Sequence, residues 1–504
     1  MLQNFVFHTF LLSYFFNLNF ILFWIFFSIF FLGILIMNFF KFNFIKQDLF
    51  FWSSLKLLFI IFGFLLFIFN YIIFYYFVAF YNSTSNNFVW NTYNSYIDYT
   101  FIFSINSVCL IKFSPDLFGT ILLLLAIFVA FISFFTMDTR FFYKNIKYMI
   151  VCYLLIFFIY VYSICTDFFF FFFCYEGLLF PSFWLVYILS PNRRSIQASL
   201  YFLLWTQLGS LLVLFFVTYI YELYGVYFFS DLIFIKLSDL EAWFLYLLLF
   251  VGFGFKVPVW PFHFWLTKTH VEAPTGFSIF LSGFLVKSAL YGFYKLNTLL
   301  GSEVNTTIFA TIVVLGIMDS SLKMWGQTDL KKLVAYGTVQ EMNIIFLTFC
   351  YGDTLAVFGG IFFCVTHAFL SALFFYFVDC IYRRYKTRLI AEIQGLLHIN
   401  PLLGIFVFLG CVFYSGLPGT LKFLCEFYIF SGLIDLTPIT ALLMILSANL
   451  FGILGFCKCW FNVTFGSNTR FQKILTIDVT SREFFLIFFC FTILVIGCFN
   501  TIWF

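Results

Sequence analysis

Titratable side chains set deep in apolar runs are the chemistry this sequence offers. Lys256 and Lys287 stand in two apolar segments on either side of the polar turn in GFGFKVPVWPFHFWLTKTHVEAPTGFSIFLSGFLVKSALYGFYKL. Glu176 follows Asp167 and an unbroken run of phenylalanines, so its own helix gives it almost nothing polar. His367 is alone in FFCVTHAFLSALFF, Glu341 lies in YGTVQEMN, and Glu426 follows Lys422 by one helical turn in GLPGTLKFLCEFYIF. A charge at mid-bilayer depth costs about 2.5–3.5 kcal/mol on insertion scales, so such groups face protein or a wet cavity and pair with something. Lysine, carboxylate and imidazole have one reaction in common, the transfer of a proton.

Each group also has a plainer reading. Glu176 needs a cation nearby to be ionised, and Lys256 is the candidate. If the two can trade partners they are a switch; if not, they are a fixed ion pair that positions two helices. Lys287 either faces the interior or snorkels to the nearer interface. His367 alone reads as a satisfied core histidine and gains weight only from company. Glu341 is a relay member or an interhelical hydrogen-bonder, and Lys422 with Glu426 forms at least a local i, i+4 pair. His263 and His270 fit no zinc spacing and read as a structured turn. The chain has no phosphate loop, nucleophile motif or haem-type histidine pair, so covalent chemistry is not expected.

The elements that hold these groups are interrupted. Pro258 and Pro261 lack an N–H, so the carbonyls of Gly254 and Val257 are expected to lose their helical partners. Such a break is tolerated at membrane depth only where it lines protein or water. A charge beside a broken helix is how ion-coupled transporters build a midplane site.

The 504 residues are 64% hydrophobic and 10% charged, which a soluble protein could not bury and a polytopic membrane protein need not. The 90 phenylalanines point to a T-rich coding bias, as in a small organelle genome. A net charge of +4 gives no case for nucleic acid, and the 13 cysteines are scattered through apolar segments as inert thiols. The opening MLQNFVFHTFLLSYFF has neither a basic n-region nor a small-residue cleavage site, so no cleaved leader is expected.

The fold class expected is an all-α polytopic membrane protein with about 14 spans. They run roughly 18–41, 54–81, 117–136, 147–165, 168–189, 199–223, 240–263, 274–299, 305–323, 331–350, 354–379, 400–432, 438–458 and 484–502. Residues 5–16 are short enough to lie in the interface, and the alternating YTFIFSINSVCLIKF reads as a hairpin. Lys46, Arg140, Lys144, Arg193, Arg194, Lys268, Lys323, Arg383, Arg384, Lys386, Arg388, Arg470, Lys473 and Arg482 fall in odd-numbered loops or at their span edges. Asp98, Asp116, Glu222, Asp231, Asp239, Glu241, Glu303, Asp353 and Asp435 fall in even ones. This alternation places both termini on the face opposite the basic one. Spans seven and twelve echo each other, with Pro258 and Pro261 beside Lys256 in one and Gly416, Pro418 and Gly419 ahead of Glu426 in the other. Two broken spans of this kind suggest a five-helix repeat of inverted topology. Four parts follow: 1–116 with the first two helices and a polar loop, 117–299 with helices three to eight and the first repeat, 300–458 with the second repeat, and 459–504 with a loop and the last helix.

GFGFKVPVWPFHFWLTKTHVEAPTG, FCYEGLLFPSFW, YFLLWTQLGSLL, GQTDLKKLVAYGTV and GLPGTLKFLCEF together resemble the antiporter-like subunits of respiratory complex I, over roughly 120–460. The resemblance implies two inverted five-helix repeats with helices 7 and 12 broken. It also implies proton translocation coupled to electron transfer from NADH to ubiquinone. The family's functional groups fall on Glu176, Lys256, Lys287, His367 and Glu426, and its lysine in QTDLK falls on Lys331. The family's subunits 2 and 5 usually carry lysine in place of Glu426. Two positions depart from the family pattern: Glu341 stands where the tenth helix has histidine, and Lys422 where a neutral residue is usual. By the same resemblance this chain itself binds no cofactor. NADH, FMN, iron–sulfur clusters and ubiquinone belong to the wider complex, the neighbours are antiporter-like subunits 2 and 5, and the setting is the lipid bilayer of the mitochondrial inner membrane. Two other functions share these residues, a subunit of a multi-chain sodium/proton antiporter and a purely structural membrane subunit.

Overall fold

The computed structural model describes residues 101–105, 109–113, 116–136, 142–189, 192–232, 237–300, 306–467 and 478–501. The spans expected at 18–41 and 54–81, and the interfacial segment at 5–16, lie outside the described residues. The chain divides into two compact units, Met1–Phe101 and Ile102–Phe504, and the helices that follow belong to the second. The expected hairpin is present as a two-stranded sheet of β1 (Phe101–Ile105) and β2 (Cys109–Phe113).

Helices follow throughout: α1 (Leu117–Thr136), α2 (Phe142–Ile164), α3 (Phe168–Gly177), α4 (Leu179–Leu189), α5 (Arg193–Tyr224), α6 (Asp239–Lys256) and α7 (Phe264–Glu272). Next comes α8, built of Thr275–Phe280, a π segment Leu281–Leu285, and Val286–Leu300. Then come α9 (Thr307–Trp325), α10 (Leu330–Tyr351), α11 (Thr354–Tyr385), α12 (Pro401–Tyr414) and α13 (Leu421–Leu436). The last two are α14, built of Pro438–Ile445, a π segment Leu446–Ile453 and Leu454–Phe465, and α15 (Ser481–Thr501). Among the described residues, seven helices are long and apolar enough to cross a membrane, which makes this a multi-pass membrane protein.

Polar residues between the apolar runs set the helix ends. Asp167 accepts from the amides of Phe169 and Phe170 at the start of α3, and Asp353 from those of Leu355 and Ala356 at the start of α11. Ser238 and Glu241 form a capping box on α6, and Asp329 caps α10. Gly225 and Gly352 close α5 and α10 in the left-handed conformation.

Burial separates the axis of the bundle from its rim. The spanning stretches of α8 and α10 are 100% buried and that of α11 is 89% buried, against 39% for α5 and α14. The enclosed helices are the ones that carry Lys287, Glu341 and His367.

Contacts between loops sort into two ends. At one, Lys295 meets Asp116 at 2.9 Å and donates to the Cys165 carbonyl, the amide of Phe168 donates to the Tyr227 carbonyl, and Asn297 donates to the Phe349 carbonyl. At the other, Arg388 donates to the Val271 carbonyl, the amide of Leu330 to the Arg388 carbonyl, and Arg384 pairs with Glu483 at 2.6 Å. Arg384, Arg388 and Lys331 thus gather at one end, and Asp116, Asp167 and Asp353 at the other.

Candidate functional site

Two interrupted helices position the site. The break between α6 and α7 falls at Pro258 and Pro261, as expected, but the freed backbone is not left bare. Val259 N–H reaches the Gly254 carbonyl at 3.0 Å, the Trp265 indole N–H the Phe255 carbonyl at 2.8 Å, and the Asn343 amide the Pro258 carbonyl at 3.3 Å. Gly254 thus loses its α-helical partner, as expected, and its carbonyl takes one from a residue further along. The second break separates α12 from α13, with Gly416 at φ +67°. A Cβ on Gly416 would lie 3.1 Å from Glu426 Oε2, so glycine allows both the turn and the carboxylate behind it.

From α8 to α13 the titratable groups form a continuous series. Lys287, on the turn after the π segment, donates to the Ser282 carbonyl at 2.6 Å, and its Nζ lies 2.8 Å from Nδ1 of His367. An ammonium donating to Nδ1 leaves a neutral imidazole with its proton on Nε2. Nε2 faces Glu341 Oε2 at 3.9 Å and has no hydrogen-bond partner. Glu341 Oε1 takes Lys422 Nζ at 2.6 Å, and Lys422 Nζ stands 3.8 Å from Glu426 Oε1. All five side chains are at least nine-tenths buried: Lys287 0%, His367 2%, Glu341 2%, Lys422 4% and Glu426 8% exposed. The series alternates cations, an imidazole and carboxylates within side-chain reach of one another. Short contacts at 2.8 and 2.6 Å alternate with gaps of 3.9 and 3.8 Å, which one water or a small side-chain rotation would close.

The first half is arranged differently. Lys256 ends α6 and is buried, but its Nζ lies 3.7 Å over the centre of the Tyr175 ring. It makes no ion pair with Glu176 within 4.0 Å, and Glu176 Oε1 has no hydrogen-bond partner. The expected Glu176–Lys256 pair is open here. The face of an aromatic ring holds a desolvated ammonium by about 0.5–2 kcal/mol, enough to compete with a carboxylate on the neighbouring residue. Among the described residues no hydrogen bond or ion pair joins Lys256 to Lys287.

Lys331 lies outside the series. Its amine donates to the carbonyl of Ala273, the residue that ends α7, and so ties the turn before α8 to the start of α10. His270 stacks on Phe375 with ring centroids 4.8 Å apart, and neither of its nitrogens has a hydrogen-bond partner. His263 sits 3.4 Å from Asp319 and 3.2 Å from Lys323, in a polar knot on α9. Among the described residues no group of three or more His, Cys, Asp or Glu side chains is placed to hold a metal ion.

Sequence reasoning underrates Lys422. Read along one helix, its partner is Glu426; in the fold its nearest carboxylate is Glu341, eighty-one positions earlier on α10. The signal is present in the sequence, because the two departures from the family pattern have opposite charge. Sequence reasoning also misses Tyr175 and Tyr414, whose rings lie 3.7 and 4.0 Å from the amines of Lys256 and Lys422.

Comparison with known proteins gives the family and the fold. A family model described as NADH:quinone oxidoreductase/Mrp antiporter, transmembrane, matches residues 165–452, which contain both lysine–acid constellations and the whole series between them. A Paramecium tetraurelia protein named NADH-ubiquinone oxidoreductase chain 4 is 42% identical over 381 residues, covering 76% of this chain and 80% of that protein. One of the same name from Chondrus crispus is 31% identical, covering 68% of this chain and 70% of its own. Among solved structures, respiratory complex I from Thermus thermophilus with bound NADH contains a chain that superposes with a TM-score of 0.71 at 21% identity, covering 80% of this chain and 85% of that one. The Mrp complex from Dietzia sp. gives 0.64 at 19% identity, over 71% and 68% of the two chains.

Proposed function

This chain belongs to the NADH:quinone oxidoreductase/Mrp antiporter transmembrane family, and from that membership we infer that it is a proton-translocating membrane-arm subunit of respiratory complex I. It moves protons while electrons pass from NADH to ubiquinone in other subunits, and the redox cofactors belong to the wider complex. The sodium/proton antiporter reading has the Mrp likeness in its favour, but that likeness is one of fold, whereas the Paramecium and Chondrus relatives are named as chain 4 of the oxidoreductase. Its neighbours in this reading are antiporter-like subunits 2 and 5, in the mitochondrial inner membrane.

The architecture proposed is of 14 membrane helices with two inverted five-helix repeats. Its support is the pair of breaks, α6/α7 and α12/α13, each followed by a helix with a π segment, α8 and α14. The proton path proposed runs through Glu176, Lys256, Lys287, His367, Glu341 and Glu426, joined by water where side chains do not touch. Lys331 serves the loading end, among the basic residues. Loading occurs on the basic side, and release follows when neighbouring subunits disturb the Glu176–Lys256 pair.

The observation that carries this reading is the contact of Lys287 with His367 and of His367 with Glu341, across three helices that are the most enclosed in the bundle. Lys256→Met in the assembled complex tests it. The variant is expected to assemble and oxidise NADH with a reduced proton-to-electron ratio; an unchanged ratio would refute the path.

A further inference from the structure

Glu341 and Lys422 are opposite charges on different helices, 2.6 Å apart, and both are sealed from solvent. A buried ion pair is a weak device for stability, because desolvating two charges offsets most of their attraction. Its presence in the middle of a proton path calls for another reason.

The surroundings of the pair repeat those of the first half. Glu176 is on α3 and Lys256 stands at the first break; Glu341 is on α10 and Lys422 stands just past the second. Each lysine rests on a tyrosine ring, Lys256 on Tyr175 at 3.7 Å and Lys422 on Tyr414 at 4.0 Å. Each half therefore holds an acid, an amine and an aromatic face within reach of the amine. The two halves differ in state: the first pair is open, and the second is closed.

We propose that Glu341 and Lys422 form a second acid–lysine switch, which hands Lys422 from Glu341 to Glu426 when a proton reaches Glu341. This rests on the reading of the chain as a proton path. Lys287 passes a proton to Nδ1 of His367, and the Nε2 proton of the resulting imidazolium binds a Glu341 carboxylate oxygen, leaving a neutral amine, a neutral imidazole and a carboxylic acid. Lys422 keeps its ammonium protons and loses its anionic partner. Glu426 lies one turn along the same helix, 3.8 Å away, so the amine reaches it by rotating about its own side-chain bonds. An ammonium brought against Glu426 favours its carboxylate over its acid, so a proton held on Glu426 passes to outlet water. The Glu341 proton then passes through water to the Glu426 carboxylate, which reloads Glu426, restores the Glu341 carboxylate and draws Lys422 back, so that each proton taken from His367 leaves by Glu426. The gap between His367 and Glu341, 3.9 Å with Nε2 unpartnered, is the contact this cycle makes and breaks.

Variants in the intact complex test the switch, with the amount of assembled complex, electron transfer and the proton-to-electron ratio all recorded. K422R should pump, because it keeps the charge. K422Q should lose pumping, although it leaves the Glu341 charge unpaired and so risks poor assembly. The double variant E341Q/K422Q removes both charges at nearly constant shape and reads the proposal free of that risk. It is expected to assemble, transfer electrons and lose pumping by this subunit. The exchanged pair E341K/K422E restores the contact with its polarity reversed, and it too should lose pumping, since the proton acceptor no longer faces His367.

A pair that only holds α10 to α13 makes the opposite forecast, with both double variants pumping at the wild-type ratio, and that result overturns the proposal. Failure of E341Q/K422Q to assemble while K422R assembles also overturns it, by assigning the pair to folding. Lys256→Met, measured in parallel, separates the two levels of argument. If it lowers the ratio and E341Q/K422Q does not, the second switch falls and Glu341 leaves the path; if neither does, the whole proton path falls.

Discussion

Lys287 and His367 are in direct contact, Nζ to Nδ1 at 2.8 Å, although eighty positions separate them in sequence. The amine is anchored a second time on the Ser282 carbonyl, whose α-helical donor, the Val286 N–H, is bound to the Leu281 carbonyl in the π segment instead. A lone lysine and a lone histidine, each with a bland reading of its own, thus become a single unit.

If the two act in series, their losses should not add. Lys287→Met and His367→Gln are each expected to abolish the protons carried by this subunit while electron transfer continues. The Lys287→Met, His367→Gln double variant should be no worse than either. Dye-reported acidification of sealed vesicles driven by NADH, with quinone reduction followed in parallel, gives the ratio. Additive partial losses would place the two residues on separate routes.

The ring of Tyr175 competes with Glu176 for Lys256. Tyr175→Phe keeps the aromatic face and should pump as the unmodified chain does. Tyr175→Leu removes it, at about 0.5–2 kcal/mol, and so shifts the amine toward Glu176 by about twofold to thirtyfold. Slower pumping in the leucine variant only, with the complex fully assembled, is the expected result. Equal behaviour of both variants would show that the ring is packing alone.

Helices α5 and α6 meet through glycine. A Cβ on Gly209 would lie 2.5 Å from the Gly252 carbonyl oxygen and 2.8 Å from Cβ of Phe255, and backbone has no rotamer with which to yield. Gly209→Ala should therefore push α6 outward, at about 1–3 kcal/mol, and move Lys256 with it. Lower thermal stability of the complex, measured by loss of NADH:quinone activity on heating, checks this. Gly225→Ala serves as the contrast for φ alone, since nothing lies within 4 Å of its Cβ position.

At the basic end, Glu483 receives both arms of the Arg384 guanidinium, at 3.1 and 2.6 Å, and the Thr480 amide at 2.9 Å. Burial raises the affinity of this carboxyl for a proton, but the Arg384 hydrogen bonds and charge and the Thr480 amide outweigh it, so its pKa lies below the usual glutamate value. A lowered folded-state pKa gives stability that is present above the unfolded value and lost as pH falls through the folded one. Hydrogen exchange in 481–501 is expected to stay slow down to the ordinary glutamate range and to quicken below it. Glu483→Gln should exchange faster at neutral pH and show no such acid step.

Much of this is legible in the chain. Prolines mark the first break, glycines and a proline the second, and isolated charges in apolar runs mark Lys287, His367, Glu341 and Glu426. What cannot be read is which group touches which. The i, i+4 rule assigns Lys422 to Glu426 because it is local, whereas the amine's choice of Glu341 depends on how α10 crosses α13. That a proline deletes the α-helical donor to the Gly254 carbonyl can be read; that a wider turn supplies another donor cannot. The resting of Lys256 on Tyr175 follows from competition between a ring and a carboxylate on adjacent residues, and no spacing rule ranks those two.

The π segment of α8 has a consequence for register. Five residues there span a turn wider than an α-helix would make, and Lys287 lies just beyond it. The wide turn already takes up one residue more than an α-helical turn, so one alanine added between Leu285 and Val286 would swing all that follows by about 100° around the axis. The amine would then face away from His367 without any charge having been changed. Geometry is thus as indispensable to the proposed path as the atoms that carry the proton, and a neutral insertion should silence it as fully as the loss of the lysine.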